Sequence, residues 1–267
     1  MNPPPSPAIE VRDLACGYGA AVVLKDVSFT VPHGEILFII GGSGCGKSTL
    51  LRCLIGLLAP VHGSVLYAGR DFTAADPVER RNLLKTCGVL YQGSALWSSM
   101  TVAENVALPL EEHTSLSRAD REEVVAFKLG EVGLTGAARL YPSELSGGMK
   151  KRAALARALA LDPVIVFLDE PSEGLDPVTS REMDLLIGEV RDTTQVTMVI
   201  ISHQLSSIFR LADRVLFLDQ ASKGIIAQGA PATLAATSTD PRVHDFLSQD
   251  SPGTGDSKES PSIISSP

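Results

Sequence analysis

Two hydrophobic patterns alternate along this chain. The first is a short, almost unbroken aliphatic run, seen in Glu35-Ile36-Leu37-Phe38-Ile39-Ile40, Val164-Ile165-Val166-Phe167-Leu168, Val196 to Ile201 and Val215 to Leu218. Runs of this length that are apolar at consecutive positions predict strands buried on both faces, because a sheet with one wet face would alternate polar and apolar residues. The second pattern is helical, over Ser48 to Ile55, Val178 to Arg191 and Leu205 to Leu211. Strands alternating with helices predict a parallel sheet covered on both sides. Shorter strands are predicted at Ile9 to Leu14, Val27 to Val31, Ser64 to Tyr67 and Gly88 to Tyr91, with Pro32-His33-Gly34 as a turn. The pattern changes between Thr101 and Leu161. A helix starts at Ser117-Arg118-Ala119-Asp120, and its apolar residues Val124, Phe127 and Leu129 keep no strand rhythm. A second run, Lys150 to Ala160, consists of strong helix formers. This middle region reads as a helical insertion into an α/β domain.

Composition narrows the picture in three ways. The 267 residues suffice for one large α/β domain or a domain with a small insertion, and 44% hydrophobic with 20% charged residues is the balance of a globular chain. A net charge of −8 argues against nucleic acid as a partner gripped through broad phosphate neutralisation. No apolar run approaches the ~20 residues needed to cross a bilayer. The start, Met1-Asn2-Pro3-Pro4-Pro5-Ser6-Pro7, is a proline-rich lead-in without the basic and apolar segments of a secretion signal. Residues 248–267 are rich in Ser, Pro and Gly and are expected to be disordered. The domain itself is expected over 8–247, with its helical part at about 93–162. The four cysteines form no C-x-x-C pair, which fits reduced thiols in a cytosolic setting.

The chemistry concentrates where aliphatic runs end. After the first run comes Gly41-Gly42-Ser43-Gly44-Cys45-Gly46-Lys47-Ser48, then Thr49 and a helix. This G-x-x-x-x-G-K-[ST] spacing is a phosphate loop: glycines let successive backbone N–H groups curl into a nest, and the helix start adds positive potential. Lys47 suits the β- and γ-phosphates and Ser48 suits Mg²⁺. Cys45 admits two readings, a thiol activated by the helix terminus or a small residue filling the loop. The run ending at Leu168 is followed by Asp169 and Glu170. A strand end presents such carboxylates at the sheet's ligand-binding edge, where Asp169 can hold Mg²⁺ with Ser48 and Glu170 can polarise a water. A second glycine-rich helix start, Leu145-Ser146-Gly147-Gly148-Met149, has Ser146 as a natural N-cap and is another anion-ready terminus.

With that element, the sequence resembles the ATP-binding-cassette (ABC) ATPases, whose signature L-S-G-G-Q differs here only by Met149. The resemblance covers about Ile9 to Gly229. It implies a P-loop NTPase (RecA-like) core with an antiparallel β subdomain and an inserted helical subdomain. It also implies roles for single residues. Gln92 matches the Q-loop, contacting Mg²⁺ and the attacking water. Gly174-Leu175-Asp176-Pro177 matches the D-loop, and His203 the switch histidine that bonds the γ-phosphate. Tyr18 stands where the family stacks an aromatic on adenine. Ser146, Gly147 and Gly148 would cap the γ-phosphate of ATP bound to a second copy, so that a homodimer sandwiches two ATP molecules. Gln204, where an acid is common, and Glu173, beside the D-loop, depart from the pattern.

Further stretches resemble the ATPase subunits of Mla-type, MCE-associated phospholipid transporters: Tyr91 to Trp97, Met100 to Leu110, Glu112-His113-Thr114 and Asp240 to Leu247. That resemblance implies a peripheral subunit on the cytoplasmic face of the inner membrane. It implies an integral-membrane permease, an MCE-domain lipid-binding protein and a small cytosolic regulatory subunit as partners. Ala95, Leu96 and Trp97 would then face a permease helix, or else pack within the helical insertion. Two other readings stay open: the ATPase of an importer or exporter for another substrate, and a soluble ABC protein acting on DNA or ribosomes. The latter usually carries a long coiled-coil insertion or two cassettes, neither of which this chain has.

Overall fold

In a computed structural model, residues 6–19 and 21–248 are described. The elements run β1 (Ile9–Tyr18), β2 (Ala21–Val31), β3 (Ile36–Ile40), α1 (Lys47–Leu54), β4 (His62–Tyr67), β5 (Arg70–Asp71), α2 (Pro77–Leu84) and β6 (Cys87–Leu90). They continue with α3 (Val102–His113), α4 (Arg118–Glu131), α5 (Gly147–Leu159), β7 (Ile165–Asp169), α6 (Pro177–Thr194) and β8 (Thr197–Ile201). The last are α7 (Leu205–Leu211), β9 (Arg214–Asp219), β10 (Gly224–Gly229), α8 (Pro231–Thr237) and α9 (Pro241–Ser248). The proline-rich lead-in up to Pro5 and the tail from 249 onward lie outside the described residues.

Two sheets divide the work. The six-stranded sheet has the order β10-β9-β3-β8-β7-β6, parallel except for the edge strand β10. The antiparallel sheet has the order β2-β1-β4-β5. Side chains alternate across the parallel sheet into two cores. Ile36, Phe38, Ile40, Leu90, Val166, Leu168, Met198 and Ile200 face the helical side with α3, α5, α6 and α7. Leu37, Ile39, Phe167, Val199 and Ile201 face α1 and the antiparallel sheet. This two-sided burial is the reason the central strands read as continuous aliphatic runs.

Several elements differ from their sequence expectation. β1 and β2 pair antiparallel as far as Tyr18 and Ala21, and irregular register between Val11 and Gly17 hides the alternation there. A Cβ on Gly17 would stand 2.0 Å from the Ala21 carbonyl, so only glycine fits that close approach. On α4 the buried residues are Val125, Lys128 and Leu129, whereas Phe127 is exposed. α2, β10, α8 and α9 are further elements outside the sequence expectation; α2 carries weak apolar periodicity, whereas α9 is short but buries Val243 and Leu247 on one face. α2 is nonetheless well started, with Asp76 accepting from the Val78 and Glu79 amides and Pro77 in its first turn.

Candidate active site

Because β3, β8, β7 and β6 are parallel neighbours, their carboxyl ends share one edge. The loops leaving that edge carry, in spatial order, the phosphate loop, His203, the Asp169-Glu170 pair and Gln92. Four segments distant in sequence are thus brought together by strand order alone.

The phosphate loop is built from backbone. Gly41, Gly44 and Gly46 have φ values of 140°, 75° and 104°, all in the left-handed half that side chains avoid. A Cβ on Gly41 would stand 2.2 Å from the Leu218 carbonyl, and one on Gly46 would stand 2.8 Å from Leu24 Cγ. Gly46 is the N-cap of α1 and offers no side-chain cap, so the first-turn N–H groups keep their capacity for an anion. Lys47 Nζ meanwhile donates to the carbonyls of Gly41 at 2.8 Å and Gly42 at 3.1 Å. Gly42, Ser43, Gly44 and Ser48 are exposed, while Thr49 is buried in the helix wall. Cys45 is also buried, and burial pushes its thiol up despite the opposing pull of Lys47. Of its two readings, this favours the packing residue over the activated thiol.

The carboxylates are crowded. Asp169 is held above the usual carboxylate range by burial and by the charges of Glu170 and Glu173, against the smaller pull of Lys151 and Arg52. A site that concentrates hard oxygen donors and excess negative charge fits a divalent cation such as Mg²⁺. No cluster of three or more His, Cys, Asp or Glu side chains forms a complete cage among the described residues. Mg²⁺ in such sites relies on one or two carboxylates, a hydroxyl and the nucleotide's own oxygens, which the Ser48 and Asp169 pair matches.

Glu170 sits at φ 49°, an uncommon conformation for a side-chain-bearing residue. Its N–H donates to the Ile201 carbonyl at 2.9 Å, and its carbonyl accepts from Lys151 Nζ at 2.7 Å. Its Oε1 accepts from His203 Nδ1 at 2.9 Å, which places that proton on Nδ1 because a carboxylate only accepts. Lys151 was missed in the sequence, where it reads as one more helix former. It is 5% exposed, and its ammonium is depressed by burial although three carboxylates oppose this. A lysine on the inward face of α5, among alanines, was the available signal.

The remaining expected residues are placed as follows. Gln92 is exposed, and its Nε2 donates to both carboxylate oxygens of Glu173, at 3.3 and 3.0 Å. Tyr18 ends β1, half-exposed, and its hydroxyl accepts from Arg52 of α1 at 2.7 Å, which ties the ring to the phosphate-loop helix. Asp176 caps α6, accepting from the Val178 and Thr179 amides at 3.0 and 3.1 Å. Ser146 caps α5 with a 3.2 Å bond from the Met149 amide. A Cβ on Gly147 would lie 3.3 Å from Leu175, and one on Gly148 would lie 2.5 Å from Thr179, so the α5 start abuts the D-loop. The structure therefore gathers Gln92, Asp169, Glu170, His203 and the phosphate loop at one edge, and it sets Ser146 beside Asp176 on the neighbouring face.

The loop after Gln92 has an organiser that the sequence did not reveal. Asn105, fully buried, accepts from the Trp97 amide at 2.8 Å and donates to the carbonyls of Trp97, Met100 and Thr101 at 3.1, 3.2 and 2.9 Å. Arg157 adds bonds to the carbonyls of Ser94 and Ala95. Ala95 and Trp97 are exposed, whereas Leu96 packs on the helical core.

A family model described as ABC transporter matches residues 24–173, more than half the chain. The chain belongs to the ABC transporter family. It is an ABC-type ATPase. Across 90% of its length this cassette is 43% identical to the intermembrane phospholipid transport system ATP-binding protein MlaF of Escherichia coli (strain K12), covering 88% of that protein. It is 39% identical, again over 90% of its length, to the "Probable ribonucleotide transport ATP-binding protein mkl" of Mycobacterium bovis, covering 66% of it. Among solved structures, the ATP-binding cassette MJ0796, a dimer in a post-hydrolysis state bound to ADP and Pi, aligns with a TM-score of 0.75 at 26% identity, covering 83% of this chain and 98% of that one. CbiO1 of Clostridium perfringens, part of the cbiONQ ABC transporter complex, aligns with a TM-score of 0.78 at 27% identity, covering 86% of this chain and 91% of that one. The fold class expected from the sequence is thereby established. Among the described residues no helix is long and apolar enough to cross a membrane.

Proposed function

We propose that this ATPase powers phospholipid transport between membranes, as the nucleotide-binding subunit of an Mla-type assembly. The observation that carries the substrate class is the 43% identity to MlaF spread over 90% of the chain. The stretches after Gln92 and before Ser248 that resemble Mla-type subunits support the same reading.

In the mechanism, the amides of the phosphate loop and Lys47 bind the triphosphate of ATP, and Tyr18 stacks on its adenine. Lys47 leaves the carbonyls of Gly41 and Gly42 to do so. Ser48, Asp169 and Gln92 would hold Mg²⁺, which would supply neutralisation of the charge developing on the phosphates. Glu170 orients and polarises the water with the carboxylate oxygen that His203 does not engage. His203 hydrogen-bonds the γ-phosphate, and Gln92 reports the nucleotide state to the partner. A second copy supplies Ser146, Gly147 and Gly148 to that phosphate, with Asp176 at the junction, and loss of the phosphate lets the copies part. Catalysis here is positioning and charge neutralisation, with no covalent intermediate on the protein.

The partners are a second copy, an integral-membrane permease met by Ala95 and Trp97, an MCE-domain lipid-binding protein and a small regulatory subunit. The working location is the cytoplasmic face of the inner membrane. The 39% identity to mkl gives a second reading weight, in which the same engine serves another substrate. Capture of the tagged full chain from solubilised membranes, with mass spectrometry of proteins and lipids, separates the two. Recovery of a permease with an MCE-domain protein and phospholipid supports the first, and recovery of a permease lacking both moves the assignment to the second.

A further inference from the structure

Behind the Glu170 and His203 contact lies a polar network that the mechanism above leaves unused. Its centre is Asp184 of α6, 1% exposed. The carboxylate accepts from Ser172 Oγ at 3.3 Å, from Ser207 Oγ at 2.9 Å and from the Arg210 guanidinium. A buried carboxylate is retained only when its lone pairs are satisfied, so these three donors are held in place with it. Ser172, itself buried, lies two residues after Glu170. Its carbonyl accepts from Gln204 Nε2 at 3.1 Å. Gln204 immediately follows His203, and its Oε1 accepts from Ser180 Oγ of α6 at 2.9 Å.

Each end of the Gln204 amide therefore has its own partner, the oxygen on α6 and the nitrogen on the loop that carries Glu170. The nitrogen end requires an amide. An aspartate or glutamate there has no donor for the Ser172 carbonyl and would set a charge against it. Ser172 is in turn gripped twice, by Gln204 at its carbonyl and by Asp184 at its hydroxyl. The two loops that carry Glu170 and His203 are thereby fixed to each other through α6.

We propose that Gln204 is a positioning residue for hydrolysis: by bridging Ser172 and Ser180, over the buried anchor Asp184, it sets His203 against Glu170. The inference rests on the roles given to Glu170 and His203 above. Positional errors of about 1 Å at such a pair cost up to about a hundredfold in rate, so a partial loosening is expected to cost about tenfold.

The test uses the full chain and follows single-turnover ATP hydrolysis, ATP affinity and the thermal midpoint of Gln204→Glu, Gln204→Leu and Ser172→Ala. The expected result for both Gln204 variants is a rate about tenfold lower, with ATP affinity within about twofold of the parent. Ser172→Ala removes one grip only and is expected to fall less. Placed on a His203→Ala background, Gln204→Glu is expected to add less than about twofold, because it acts through the histidine. A variant with a lowered midpoint and unchanged rate overturns the inference, as does a full tenfold loss that persists on the His203→Ala background. Should His203→Ala alone hydrolyse ATP like the parent, the role of the histidine falls and the inference with it. A strong His203→Ala defect beside an unaffected Gln204→Glu removes the bridge and leaves the site reading standing.

Discussion

The chain has two glycine-rich helix starts that read alike in the sequence and differ in the fold. At α1 the N-cap is Gly46 in a left-handed conformation with no side chain to offer, so the helix's first amides remain open toward the exposed loop. At α5 the N-cap is Ser146, whose hydroxyl already accepts from the Met149 amide. The first is a complete anion cradle with its own lysine. The second has a satisfied cap and a surface of small residues set against the D-loop. Under the proposed mechanism, one copy of the chain suffices to bind a triphosphate, whereas the α5 start becomes useful only when another copy brings a phosphate to it. Binding and hydrolysis are thus separable, and each can be removed alone.

The sharpest way to break the comparison is at the complete site. Lys47→Ala removes the only side-chain charge of the cradle, and turnover is expected to fall on the order of a hundredfold or more, measured as phosphate release. ATP affinity of the isolated chain should weaken in the same variant. Ser146→Arg places bulk and charge at the other helix start. It is expected to keep single-copy ATP affinity, measured by equilibrium dialysis, while hydrolysis and ATP-induced dimerisation on a sizing column are lost. Equal loss of affinity in both variants would show that the two starts are not separable.

A smaller effect is expected at Gly46 itself. Its φ of 104° and the 2.8 Å approach of a Cβ to Leu24 mean that Gly46→Ala strains the loop and the antiparallel sheet together. The expected destabilisation is about 1–3 kcal/mol, read from the denaturant midpoint. Ser146→Ala loses only the cap and should cost about 1 kcal/mol in the same measurement. A Gly46→Ala variant as stable as the parent would mean that the loop does not need its left-handed turn.

These residues also mark what was legible in the sequence. β3, β7 and β8 were readable because both of their faces are buried, and the phosphate loop because glycine is the one residue that reaches its backbone angles. The Asp169 and Glu170 pair was readable from its place at a strand end. Other features had no local signature. β10, Gly224-Ile225-Ile226-Ala227-Gln228-Gly229, has only two strand formers between glycines and leans on β9 for its pairing, and β1 is interrupted by irregular register near Asp13, whose φ is 45°. Lys151 and Asp184 read as ordinary helical residues, since what makes each of them matter is a carbonyl or hydroxyl from a distant segment, and Asn105 reads so because its partners are carbonyls of the irregular loop just before it. Sequence periodicity records which face is buried, and it carries no record of which polar groups meet inside.

The smallest effect concerns Cys45, and it tests where the field of the α1 start is aimed. A thiolate is the reactive form, and a helix start can stabilise one that lies in front of it. Cys45 lies instead behind the loop, 2% exposed, with its thiol raised by burial. Being raised, it stays protonated over a pH range in which an exposed cysteine has begun to ionise. Maleimide labelling of Cys45, resolved by peptide mass spectrometry from Cys16, Cys53 and Cys87, is therefore expected to be slower than that of a free peptide thiol between pH 7 and 9. Its rate should still climb with pH where the peptide's has levelled off. Cys45→Ala should change turnover by less than about twofold, since the side chain only fills space. Labelling faster than the peptide would mean that the helix start acts on its own loop as strongly as on an anion in front of it, and the contrast between an outward-facing cradle and an inward-packed thiol would no longer hold.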